Sequence, residues 1–230
     1  MTRAVSPKAL IFDVFGTCVD WRGSVARVVA QHLPGVDAVA FAEAWRGEYQ
    51  PAMARIRDGA RGYVPLDDLH LENLERVASR FGAMPADPGT LNRAWEQLDP
   101  WPDVVGGLMR MRGAAIVAPC SNGSIALMTR LARHARLPWD CILGADLAQG
   151  YKPSPSVYLA SCAALRLDPP QVMMVAAHND DLHAARALGL RTAFVPRPTE
   201  YGPGQTTDLG PDGDWDVIAD DFNDLAERLT

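Results

Sequence analysis

From residue 114 onward the chain alternates short apolar runs with amphipathic ones, and that alternation restricts the fold more than any other feature. AAIVAPCSNG reads as a strand ending in a turn, and SIALMTRLARHARL as a helix. CILGA is strand-like, SVYLASCAALRL helical, QVMMVAA a strand, and DLHAARALG a helix closed by Gly189. RTAFVPR is a further strand, and WDVIADDFNDLAERL a last short strand and helix. Strands separated by helices form a parallel sheet covered on both faces. The earlier run Ala9 to Phe12 is short enough to be a buried strand of the same sheet, ended by Gly16. Asp13 then stands at the carboxyl end of a strand, where open α/β sheets bind ligands.

Between that first strand and the alternation, residues 21–96 have a different character. SVARVVAQHL, AVAFAEAWRGEYQPAMARIRDG and LDDLHLENLERVASRFG carry apolar residues at helical spacing, punctuated by Gly, Pro and Asp. No alternating strand pattern is present. The chain therefore reads as an α/β core, residues 1–20 and 97–230, with a helical insertion over residues 21–96. The stretch Pro196 to Gly213, rich in Pro and Gly, is expected as a long loop beside the site or at a subunit contact.

Composition narrows the function classes. The 230 residues are 48% hydrophobic and 22% charged, with a formal net charge of -6, so the chain lacks the basic footprint of a nucleic-acid binder. Cys18, Cys120, Cys141 and Cys162 show neither CxxC pairing nor His-rich spacing and read as small buried hydrophobes in a reducing compartment. MTRAVSPKAL has no apolar region of signal-peptide type, and no run of about 18 apolar residues could span a bilayer. The expectation is a cytoplasmic protein with no membrane partner.

Four polar clusters stand at predicted strand ends. Asp13-Val14-Phe15-Gly16-Thr17 offers a carboxylate before a glycine turn: either a nucleophile whose developing charge meets fixed dipoles, or a turn-capping Asp. Ser121-Asn122-Gly123 offers hydroxyl, amide and turn N–H groups that can hold an anion or cap the next helix. Tyr151-Lys152-Pro153, with Tyr158 beyond it, places a lysine that could neutralise a buried carboxylate or simply face solvent. Ala176-Ala177-His178-Asn179-Asp180-Asp181 crowds polar groups onto a helix start, where an Asp also satisfies the helix dipole.

In this order, with the helical insertion between the first two, the clusters resemble the active-site layout of the haloacid dehalogenase superfamily across nearly the whole chain. The resemblance implies a Rossmann-like, doubly wound core and makes residues 21–96 a cap. Most members of that superfamily are magnesium-dependent phosphatases with Asp-x-Asp in the first motif and Gly-Asp in the last. Here those positions hold Phe15 and Ala177. A phenyl ring transfers no proton, and a methyl group offers Mg²⁺ no oxygen. Both differences resemble the L-2-haloacid dehalogenases, which use no metal and no cofactor; a phosphatase with a weakened metal site is the alternative.

That narrower resemblance implies roles for individual residues. Asp13 would attack the halogen-bearing carbon of a small 2-halo acid, and water would then hydrolyse the resulting ester. Lys152 would keep Asp13 ionised, and Asp181, with His178, would orient or deprotonate the water. Thr17, Trp45, Arg46, Ser121, Asn122, Tyr158 and Asn179 would bind substrate or halide, with Arg46 and Asn122 at the departing halide and Ser121 at the carboxylate. Trp45 reads as cap core or pocket wall ahead of a specific ligand, and His178 equally as a structural histidine. Arg22, Arg55, Arg57 and Arg61 are expected at the surface. The family pattern in the last motif, Ser-Ser-Asn-x-x-Asp, is replaced here by Ala176-Ala177-His178-Asn179-Asp180-Asp181. This variant, with the Val195-Pro-Arg-Pro-Thr-Glu-Tyr-Gly-Pro string, is similar to a subgroup that includes enzymes acting on fluoroacetate. The family also implies a homodimer.

Overall fold

The computed structural model describes residues 6–230, so the first five residues of the expected core lie outside the described residues. After β1 (Ala9–Phe12) and the two-residue β2 (Val19–Asp20) come helices α1 (Trp21–His32), α2 (Ala38–Gly47), α3 (Tyr49–Arg57), α4 (Leu66–Phe81) and α5 (Pro88–Asn92). A 3-10 turn over Arg93–Glu96 leads to β3 (Asp99–Pro100), which pairs antiparallel with β2. The rest alternates: α6 (Val104–Arg112), β4 (Ile116–Ser121), α7 (Ile125–Ala135), β5 (Leu143–Gly144), α8 (Ala145–Ala148), α9 (Pro155–Ala164), β6 (Val172–Ala176), α10 (Asn179–Ala187), β7 (Arg191–Phe194), β8 (Val217–Ile218) and α11 (Phe222–Leu229).

Among the described residues the main sheet has six strands in the order β5-β4-β1-β6-β7-β8, paired in parallel throughout. This is the doubly wound α/β fold that the alternation predicts. β1 is central because all four of its residues are apolar and buried, as a strand covered on both faces requires. It pairs with β4 on one side and β6 on the other, so the chain order reverses across it. Such a switch point opens a crevice beyond the strand ends, and Asp13 follows β1 into it. The Asp13 backbone N–H donates to the Val175 carbonyl at 3.0 Å, which continues the β1–β6 ladder to the carboxylate-bearing residue itself.

Some of the helices start on side chains suited to capping. Asp20 accepts from Gly23 N–H at α1, Asp37 from Val39 and Ala40 N–H at α2, and Ser124 from Leu127 N–H at α7. One apolar cluster runs from β1 residues Leu10 and Phe12 through Trp21, Phe41, Trp45 and Leu74 to Trp95, so the helices over residues 21–96 pack onto the sheet region without a break.

Some local features go beyond the sequence reading. AVAFAEAWRGEYQPAMARIRDG forms two helices, α2 and α3, separated at Glu48. Pro51 has no N–H to offer the Gly47 carbonyl, and its ring would collide with it, so a continuous helix cannot pass. The β2–β3 pair was not predicted, because two residues per strand are too few to show a period. Of the arginines expected at the surface, Arg55 is exposed, but Arg22, Arg57 and Arg61 are half-buried. Arg22 and Arg61 pair with Glu43 and Glu72, and Arg57 reaches the Lys152 carbonyl. Cys18, Cys120, Cys141 and Cys162 are free thiols. Burial pushes the Cys120 thiol up to about 12, and Cys18 is raised by the same cause, so neither is an activated nucleophile. No described helix is long and apolar enough to cross a membrane.

Candidate active site

A cavity of about 410 Å³ opens beyond the carboxyl end of β1. Asp13, Phe15, Asn122, Lys152, Tyr158, His178 and Asp181 reach it from the sheet side, Arg46 and Tyr49 from α2 and α3, and Tyr201 and Asp208 from the loop after β7. Asp13 and Lys152, 139 residues apart in sequence, meet here at 2.9 Å between Oδ1 and Nζ. The other Asp13 oxygen, Oδ2, accepts from the Thr17 hydroxyl at 2.7 Å and lies 3.1 Å from His178 Nδ1.

Lys152 serves two carboxylates. Besides Asp13 it contacts Asp181 Oδ2 at 2.5 Å, and Asp181 Oδ1 accepts from the Tyr158 hydroxyl. Burial opposes the ionisation of both acids but acts on them unequally. For Asp13, the charge of Lys152 and the contacts of His178 overcome burial and hold the carboxyl well below the usual range. For Asp181, burial prevails, reinforced by the charge of Asp13, and its pKa is raised despite Lys152. Burial also works against the Lys152 ammonium, but the two carboxylates keep its pKa well above that of a free lysine. The result is an ionised carboxylate at a strand end, facing the cavity, with a fixed cation beside it.

Arg46 occupies the last turn of α2 in an aromatic collar. Its guanidinium carbon lies 3.9 Å from the Tyr49 ring centre, 5.4 Å from Trp21 and 5.9 Å from Phe15. Its Nη1 is buried and has no hydrogen-bond partner among the described residues. A buried donor of this kind on a cavity wall is suited to an anion. Asn122 is similarly placed: its Oδ1 accepts from Lys152 N–H at 2.8 Å, which turns its amide and leaves the Nδ2 hydrogens uncommitted.

Of the expected site residues, Asp13, Arg46, Asn122, Lys152, Tyr158, His178 and Asp181 line this cavity, and Thr17, Trp45, Ser121 and Asn179 do not. Thr17 is fully buried; it donates to Asp13 and accepts from Ala177 N–H, and so holds the carboxylate without reaching the cavity. Trp45 packs between Phe41 and Trp95 and donates its indole N–H to the His70 carbonyl, which makes it cap core. Ser121 accepts from Gly123 N–H and stabilises its own turn, while Ser124, not Ser121 or Asn122, caps α7. Asn179 is occupied by Asp208, the Gly210 carbonyl, Asp212 N–H and Trp215, pinning the loop before β8 to α10.

That loop brings residues to which the sequence assigned no role. Arg197 donates to the Thr17 carbonyl at 2.9 Å and forms a two-pronged pair with Asp103. Glu200 sits 2.8 Å from His178 Nε2, and Tyr201 and Asp208 face the cavity. Their signals were the Pro/Gly-rich loop and, for Arg197, Glu200 and Tyr201, the Val195-Pro-Arg-Pro-Thr-Glu-Tyr-Gly-Pro string, neither of which assigned them a role. Tyr49 is a further wall residue hidden by the helix break.

The model of the haloacid dehalogenase-like hydrolase family matches residues 7–189. The chain belongs to that family. Among solved structures, this haloacid dehalogenase-like hydrolase is similar to the defluorinating L-2-haloacid dehalogenase Rha0230, at 49% identity and a TM-score of 0.94, covering 97% of this chain and 95% of that one. It is also similar to the L-2-haloacid dehalogenase PA0810, at 47% identity and a TM-score of 0.93, covering 97% and 98%. Among characterised proteins it is 28% identical over 213 residues to (S)-2-haloacid dehalogenase 4A of Burkholderia cepacia, covering 85% of this chain and 87% of that protein.

Proposed function

We propose that this hydrolase removes halide from short 2-haloalkanoic acids, haloacetates including fluoroacetate and 2-halopropionates, giving 2-hydroxy acids through an ester on Asp13. The observation that carries the reading is the pairing inside one small cavity of an ionised, Lys152-held Asp13 with a buried Arg46 guanidinium whose Nη1 has no partner among the described residues. One supplies a nucleophile, and the other supplies a donor where negative charge leaves. The similarity to named 2-haloacid dehalogenases over nearly the whole chain supports the substrate class, and the defluorinating relative extends it to fluoride.

In the first step Asp13 displaces halide from the substrate carbon. Thr17, Lys152 and His178 orient the carboxylate, and Arg46 with the Asn122 amide receives the halide. Phe15 and Tyr49 keep the reacting carbon in an apolar setting. In the second step water attacks the ester carbonyl, with Asp181 and His178 beside it. Residues 21–96 act as the cap over a core of residues 1–20 and 97–230, because Arg46 and Tyr49 complete the cavity from the cap side.

The phosphatase alternative loses its support at two positions. Phe15 lies edge-on to Tyr49 and Trp95, and Ala177 is a buried methyl group, so neither supplies a proton or a metal ligand. The deciding measurement is halide release from fluoroacetate, chloroacetate and both enantiomers of 2-chloropropionate. Release is expected from the haloacetates and from one 2-chloropropionate enantiomer; no release from any substrate would sink the proposal.

A further inference from the structure

Each Asp181 oxygen already accepts from a strong donor. Oδ2 takes the Lys152 ammonium at 2.5 Å, and Oδ1 takes the Tyr158 hydroxyl. His178 is placed differently. It borders the cavity, its Nδ1 faces Asp13 Oδ2 at 3.1 Å, and its Nε2 faces Glu200 Oε2 at 2.8 Å. Glu200 is only 1% exposed, and its other oxygen accepts from Trp21 Nε1 at 2.9 Å. Its backbone is fixed as well, since Glu200 N–H donates to the Arg197 carbonyl and Arg197 is tied to the Thr17 carbonyl and Asp103.

Gly16 adds an independent observation. A Cβ there would fall 2.1 Å from Glu200 Oε1, so the turn carrying the nucleophile leaves room for this carboxylate. The Gly16 φ of +92° favours glycine on its own account, and the missing side chain then serves two ends. An imidazole beside the nucleophile, oriented from behind by a buried carboxylate, is the base-and-orienter arrangement of acyl-transfer enzymes.

We propose that Glu200 is a positioning residue that holds His178 as the general base for hydrolysis of the Asp13 ester. The proposal rests on the dehalogenase reading. In the resting site His178 lies between two carboxylates. Burial opposes its charge, but Glu200 and Asp13 raise its pKa well above that of an ordinary histidine, so it starts protonated on both nitrogens. Displacement forms the Asp13 O–C bond and breaks the C–halogen bond, and the electron pair leaves with halide. It also neutralises one of the two anions beside His178. The Nδ1 proton then passes to solvent, as the one proton that each turnover releases.

Neutral His178, its Nε2–H directed at Glu200, next takes a proton from water as the water oxygen adds to Asp13 Cγ. Collapse of the adduct breaks the bond between Cγ and the product oxygen. The hydroxyl proton left on Asp13 passes to the departing alkoxide, which restores the carboxylate and yields the 2-hydroxy acid. His178 is again doubly protonated, and the site is ready for another turn.

The test is rapid-quench halide release from chloroacetate by the wild-type protein, Glu200→Gln and His178→Asn, with mass spectrometry of the Asp13 peptide. Glu200→Gln keeps the side-chain volume and an acceptor for Trp21. It is expected to lower kcat about 10²-fold, to release a burst near one halide per site, and to carry ester on Asp13 at steady state. His178→Asn should show the same burst and the same trapped ester. Unchanged turnover in folded Glu200→Gln, or loss of the burst together with turnover, overturns the proposal. Should Glu200→Gln fail to fold, His178→Asn decides, and absence of trapped ester there overturns it equally. Absence of halide release by the wild-type protein is a separate outcome: it removes the dehalogenase reading and this proposal with it.

Discussion

Asp13 is reactive because its partners divide its charge problem between them. Thr17 orients one oxygen without changing net charge, whereas Lys152 supplies the cation that burial makes necessary. Lys152→Met leaves burial unopposed by that cation. The Asp13 pKa is then expected to rise, the acid limb of kcat/KM to move to higher pH, and neutral-pH halide release to fall at least ~10²-fold; steady-state pH profiles of the two proteins check this. The wild-type limb should lie below the ordinary Asp value of about 3.9, since the folded pKa is depressed and ionisation is lost only as pH falls through it. A single turnover in heavy-oxygen water should place the label in Asp13, and label in the first product instead would rule out the ester. At this scale the sequence marked Asp13, Lys152, His178 and Asp181, since each closes an apolar run or opens a helix. It gave Glu200 no role, because a single acid in a loop without periodicity has no local pattern to pair it with His178, and it overcounted Trp45 and Asn179, whose polar atoms find partners away from the cavity.

Elements matter here through where they end. β1, β4 and β6 stop beside one another, and their following turns deliver Asp13, Asn122 and His178 to one crevice. Arg46 and Tyr49 stand on either side of the break between α2 and α3, with the guanidinium carbon 3.9 Å from the Tyr49 ring centre. The loop after β7 is held by Arg197, whose pair with Asp103 joins it to the start of α6 and whose Nε joins it to the Thr17 carbonyl. Arg197→Met should cost about 3 kcal/mol of stability, because it leaves Asp103 without its cation in a mostly buried place. Denaturant titration measures this. Burial opposes the Asp103 charge, yet its bonds to Arg197 hold its pKa below the usual value. The contribution is therefore present above the unfolded pKa, about 3.9, and lost as pH falls through the lower folded value. The stability gap between wild type and Arg197→Met should accordingly close in acid, and a gap that widens there would contradict the assignment.

For the whole molecule, the parallel order with β1 central decides where a site can be, and the donor set decides which chemistry it runs. Neither Phe15 nor Ala177 can replace the missing acid and metal ligand of a phosphatase, so halide release should be unchanged by a chelator. Magnesium should not elicit phosphate release from an aryl phosphate; activity lost to the chelator would reopen the phosphatase alternative. Strand and helix periods and the four polar strand ends were legible in the chain itself, because each depends on neighbours a few residues away. They determined the doubly wound core, the helical insertion and the place of Asp13. Tertiary structure alone decided which of the marked residues meet. Lys152 reaches Asp13 across 139 residues, and Glu200 backs His178 through a loop whose course depends on Arg197. Those pairings are set by loop closure against a packed sheet, and no local pattern encodes that. Only the assembled crevice shows that Asp13 is held by Lys152, Thr17 and His178, while Asp181 is shared between Lys152 and Tyr158.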